Sequence, residues 1–155
     1  MLEWIEATSV GLWMRESPSV WAFPTVLTLH TTGMAILVGA SWLLDLRLLG
    51  ISSRSTPLAA YRWVFPAITF GLIVNLVTGV LLFIKNATTW GTAVPFGVKM
   101  LLVVVSVVLL LPIRKYVNSD EVGEIGGNAR LLAIASILAW TGAVTAGRLL
   151  AYLVV

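Results

Sequence analysis

PTVLTLHTTGMAILVGASWLLDLRLLG, residues 24–50, decides the fold. From Pro24 to Leu44 it carries no formal charge. At 1.5 Å per helical residue that run makes a helix of about 30 Å, the thickness of a bilayer's hydrocarbon core. The stretch reads as a membrane span. It also holds His30, the only histidine of the chain, and a titratable, ligand-type side chain at membrane depth is a functional-site candidate by default.

Working outward, three further runs are long and apolar. The predicted spans cover about 23–44, 64–84, 95–113 and 131–151. Span two carries Gly71, Asn75 and Gly79 at intervals of four, a small and polar stripe of the kind that faces another helix. The third uncharged run, Met100 to Ile113, is only about 21 Å long, too short to cross alone. Starting at Pro95 restores the length and brings Lys99 inside the membrane boundary. Span four places Thr141, Thr145, Arg148 and Tyr152 on one face, expected to look inward. Ahead of span one, residues 1–17 read as an interfacial helix with Leu2, Ile5, Leu12 and Trp13 on one side, ended by Pro18. The expected fold is all-α, a single domain over 1–155: an integral membrane four-helix bundle with an interfacial N-terminal helix.

Composition agrees. Of the 155 residues, 59% are hydrophobic and 11% charged, with a mean hydropathy of +0.98, outside the range of a water-soluble domain. The net charge of +3 does not indicate nucleic acid, because the basic residues stand singly at span ends and form no stripe. With no cysteine there is neither a disulfide framework nor a thiolate site. The start of the chain does not read as a signal peptide. Arg47, Arg54, Arg62, Arg114, Lys115 and Arg130 fall in the loops after spans one and three. The positive-inside tendency therefore puts both termini on the non-cytoplasmic side of a cell inner (plasma) membrane.

Consecutive spans run antiparallel, so the start of an odd span and the end of an even one share a leaflet. His30 lies about 9 Å past Pro24, Lys99 about 6 Å past Pro95, Thr78 about 9 Å before Ile84, and Arg148 at the end of its helix. All four fall on one side. Asp45 is read as the point where span one leaves the membrane, which leaves the two cations without an acid of this chain, except the N-terminal glutamates.

Several chemistries answer that arrangement, and no catalytic residue is assigned. A b-type haem uses His30 as axial ligand, Lys99 and Arg148 at the propionates, and Asn75, Thr78 and Tyr152 as surrounding polar groups. Met100 or a neutral Lys99 is available for the sixth position; Met34, on the same helix face as His30, is not. The product is a protein of electron transfer or a redox subunit, and a homodimer or larger membrane complex is the route to a second histidine. Copper is the alternative cofactor, with imidazole and thioether from His30 and Met34 as a ligand pair that leaves the site incomplete. The bland readings are a histidine that only hydrogen-bonds a neighbouring helix, cations that snorkel, and a non-catalytic scaffold packed through the Gly71 stripe and Ala35/Gly39.

The motifs also carry a resemblance. His30-Thr-Thr-Gly33, Asp45-Leu-Arg47-Leu-Leu-Gly50, Thr78-Gly79, Phe96 with Lys99, and Ala146-Gly147-Arg148 with Tyr152 resemble an uncharacterised family of small bacterial four-span membrane proteins. The match runs from Trp21 onward. More distantly, histidine in span one, Thr-Gly in span two and lysine heading span three are similar to the CopD-like copper-resistance membrane domain and to HemJ-type protoporphyrinogen oxidase. The resemblance implies functional roles for His30 and Lys99 and a b-type haem. The chain lacks the further histidines of those relatives.

Overall fold

The computed structural model describes residues 2–51, 56–118 and 126–153. Arg54, Asp120, Glu121 and Glu124, which the sequence places in loops, lie outside them. Among the described residues the chain is helical, with four helices long and apolar enough to cross a membrane. They are α3 (Phe23–Leu48), α4 (Val64–Lys85), α6 (Val94–Asn118) and α7 (Gly127–Leu153); α1 (Glu3–Glu6) and α2 (Ser9–Glu16) precede them and α5 (Ala87–Trp90) joins α4 to α6.

Each helix overruns its uncharged stretch. α3 continues four residues past Leu44 and stops at a glycine for a local reason. The Ile51 amide reaches the Leu46 carbonyl at 3.1 Å and the Gly50 amide the Arg47 carbonyl at 3.1 Å. That paired closure needs a left-handed residue, and Gly50 has φ 80°. α6 runs through Pro112 to Asn118, about 38 Å, so the short third run is no obstacle to spanning. Pro57 opens a single 3-10 turn, Leu58–Tyr61, and α4 begins only at Val64. Pro66 therefore sits in the first turn of α4, where an N–H has no intrahelical partner to lose.

α3 packs on α4, α6 packs on α7, and the two hairpins meet along α3 and α7. The α3–α4 contact is close because it is glycine on glycine. A Cβ on Gly71 would stand 2.9 Å from the Gly33 carbonyl oxygen, and one on Gly33 would stand 2.7 Å from Val74 Cγ1. Toward the loops after α3 and α6 lies the main apolar core, with Leu44, Leu48, Val64, Ile113, Val117 and Ala133 almost wholly buried. A smaller cluster at the opposite end joins Met14, Val26 and Leu82, with Phe23, Leu81 and Trp90 against them. Large exposed side chains such as Phe70, Ile73, Leu76 and Val77 form the lipid-facing surface.

Two expected faces are rotated. The N-terminal segment is two short helices broken at Thr8, whose side chain caps α2 by accepting from the Gly11 amide. Its buried residues are Gly11 and Met14, while Leu12 and Trp13 are exposed. On α7, Thr141, Thr145, Arg148 and Tyr152 point outward; the buried face is Ala129, Ala133, Ser136, Trp140, Ala143 and Leu150. Thr141 and Thr145 donate to the carbonyls of Ile137 and Thr141 at 2.7 and 2.8 Å, so neither hydroxyl needs a neighbouring helix. Ala35 and Gly39 are likewise exposed and form no helix contact of the kind a scaffold reading expects.

The N-terminal helices are fastened by Glu6. Its Oε1 accepts from the Thr88 hydroxyl at 2.6 Å and the Thr88 amide at 2.7 Å, and its Oε2 pairs with Arg15 at 3.1 Å. These donors, the Thr88 hydroxyl foremost, hold the Glu6 carboxyl below its usual range. The attachment is therefore complete above the ordinary glutamate value of about 4.3 and is lost as pH falls through the depressed folded value. Amide exchange over residues 3–16 should stay slow from neutral pH to about pH 5, relative to its intrinsic rate, and accelerate in stronger acid. Glu6→Gln should flatten that dependence; an unchanged acid transition in the variant would refute the assignment.

Candidate functional site

His30 sits between the two apolar clusters, on the face of α3 that meets α4. Its Nδ1 lies 2.9 Å from Thr78 Oγ1, and Thr78 Oγ1 lies 2.6 Å from the Val74 carbonyl. Two oxygens that close need a proton between them, and a hydroxyl has only one. Thr78 therefore donates to Val74 and accepts from His30 Nδ1–H. In the neutral ring this fixes the tautomer and leaves the Nε2 lone pair uncommitted. Nε2 is buried and has no hydrogen-bond partner. The ring lies against Gly79, where a Cβ would reach His30 Cε1 at 3.4 Å, an ordinary van der Waals contact. Asn75 does not reach the ring with its side-chain amide, which donates to the Gly71 carbonyl at 3.3 Å.

Lys99 comes from α6 into the same region. Its alkyl chain and ammonium lie along Gly147 of α7, where a Cβ would meet Cδ, Cε and Nζ at 3.4 to 3.5 Å. It is half-buried and its charge acts on His30. Among the described residues the ion pair is Arg15 with Glu6, so no carboxylate neutralises Lys99. His30, Thr78 and Lys99 are thus drawn together by three helices. Arg148 and Tyr152 are on the exposed face of α7.

The methionines do not converge. Met34 packs against the main apolar core and Met100 is 43% exposed on the outer face of α6. No group of three His, Cys, Asp or Glu side chains able to hold a metal ion exists among the described residues. A copper centre built from His30, Met34 and Met100 has no support in this arrangement.

A second polar cluster was not expected. Asp45, read from the sequence as the exit from the membrane, is fully buried between α3 and α7. Its Oδ2 accepts from the Ser136 hydroxyl at 2.8 Å, and its Oδ1 has no partner. Buried Ser41 and Trp140 lie one turn along the same two helices, and the Trp140 indole N–H is also unpartnered. The signal was present in LLDLRLL: a residue leaving the bilayer is not usually followed by three leucines in four positions. Arg47, two residues on, is buried too and donates to the Thr56 carbonyl at 2.6 Å.

Four helices long and apolar enough to cross a bilayer define a multi-pass integral membrane protein in contact with lipid. The chain belongs to the Family of unknown function (DUF6644), which it matches over residues 1–153. No curated protein and no solved structure matches it, so the comparisons add no likeness to copper-resistance domains or protoporphyrinogen oxidases.

Proposed function

We propose that this is a b-type haem protein of a bacterial plasma membrane, serving electron transfer or acting as a redox subunit, with His30 as axial ligand. One observation carries the reading: a buried imidazole nitrogen, freed by its tautomer and given no protein partner, beside a lysine that has no acid. Metal-bound histidines characteristically donate their other ring N–H to a fixed acceptor, and here Thr78 supplies that acceptor.

The donor chemistry fits haem, which asks a single nitrogen of the protein and a cation near its carboxylates. Bound there, haem would supply one-electron chemistry. His30 would hold it, Thr78 would keep the ring oriented, and Lys99 would balance a propionate. Nε2 is buried by surrounding side chains, so a porphyrin reaches it only after they move. At this end α4 and α6 meet through the Phe83 and Phe96 rings, stacked at 5.1 Å.

Protein purified from haem-replete cells should show a Soret band, which His30→Ala abolishes. Thr78→Val should weaken haem retention about tenfold to a hundredfold while the helical content stays unchanged. Colourless wild-type protein from such cells, unable to take up added haemin, would end this reading.

A further inference from the structure

Between the α2–α3 connection and the end of α4 lies an open cavity of about 250 Å³, lined by Met14, Arg15, Ser17, Ser19, Phe23 and Lys85 among others. Its position is fixed by the membrane: Phe23 begins α3 and Lys85 ends α4, so the cavity lies at headgroup level on the N-terminal face.

Two cations line it, and each lies in the field of the other. The acid that answers Arg15 is Glu6, whose other oxygen is already engaged by Thr88; Glu16 is exposed and does not line the cavity. Only one Arg15 nitrogen is used in that pair, and the Lys85 ammonium rests 3.7 Å from the centroid of the Phe23 ring without an ion-pair partner. The serines add donors. Ser17 Oγ accepts from the Ser19 amide and Ser19 Oγ from the Trp21 amide, both at 3.2 Å. Both hydroxyls are thereby oriented as acceptors, and their own protons remain uncommitted. Exposed Val20 and Trp21 continue the rim as an apolar surface.

We propose that this cavity binds the phosphate of an anionic phospholipid, clamped by Arg15 and Lys85 and hydrogen-bonded by the Ser17 and Ser19 hydroxyls. The phosphate supplies the counter-charge that Lys85 lacks and engages the Arg15 nitrogens that Glu6 leaves free, since charge-assisted bonds to its oxygens suit both a guanidinium and an ammonium. The acyl chains follow the apolar rim into the bilayer. A choline headgroup gains nothing comparable, because the Phe23 face that would receive a quaternary ammonium already carries Lys85.

The full chain in neutral detergent, titrated with phosphatidylglycerol and followed by native mass spectrometry, should retain one such lipid per chain in preference to phosphatidylcholine. Arg15→Gln combined with Lys85→Gln should weaken that retention about 30-fold, two surface cations each contributing a factor of about five. Lys85→Arg should keep it, and Lys115→Gln, at the opposite end of the bundle, should leave it unchanged. If the double variant does not fold, the Lys85→Gln and Lys85→Arg pair decides the question. Equal retention in Lys85→Gln and wild type, or no preference over phosphatidylcholine, overturns the proposal. Displacement of the lipid by inorganic phosphate at the same concentration also overturns it, because the pocket would then serve a free anion.

Discussion

Replacing Gly71 by alanine should destabilise the protein by about 1–3 kcal/mol, and valine should reach the upper end of that range or exceed it. The cause is backbone, not side chain. A Cβ at position 71 would stand 2.8 Å from the Leu37 amide nitrogen, 2.9 Å from the Gly33 carbonyl oxygen and 3.0 Å from Leu37 Cβ. Helix α3 has to retreat, which loosens the packing of Leu37 and Ile68 and draws Thr78 away from His30. Gly39→Ala is the matched control: nothing lies within 4 Å of its Cβ position, and the change should be neutral or slightly stabilising. Thermal unfolding in detergent compares the two. Equal midpoints for Gly71→Ala and Gly39→Ala would show that the helices are not held at glycine-contact distance.

The second large effect is at Asp45. Asp45→Ala leaves the Ser136 hydroxyl buried without its acceptor and opens a void in the α3–α7 contact, a loss of about 1–3 kcal/mol from the unpaired group alone. Asp45→Asn retains an oxygen that can accept from Ser136 and should cost less. The double variant Asp45→Ala with Ser136→Ala should be less destabilised than the sum of the two single changes, because the orphaned hydroxyl disappears with its partner. Strict additivity would mean that the two side chains do not interact in the folded protein.

Depth was legible in the sequence, whereas rotation was only partly so. Uncharged runs locate spans, and antiparallel order assigns leaflets, so the sequence alone puts His30, Thr78 and Lys99 on one side of the bilayer. The glycines of α4 also gave their facing direction, since small residues four apart seldom serve any purpose but close approach. The threonines of α7 misled, because a threonine in a helix can satisfy its hydroxyl on its own backbone and then face lipid at little cost. Arg148 followed them outward. Asp45 is the opposite case: its charge reads as a membrane boundary, although its serine partner stands 91 residues away on a helix whose register no local pattern reveals. The tautomer of His30 was also beyond the sequence, as it depends on two distances around one hydroxyl.

The pairing of α3 with α4 and of α6 with α7 bears on how the chain is made. Each pair is contiguous, so the first can leave the translocation machinery complete while the second is still being synthesised. Asp45 belongs to the early pair and Ser136 to the late one. Until α7 is in place the Asp45 carboxyl has no Ser136 hydroxyl to accept from, so that bond can form only when the two halves meet.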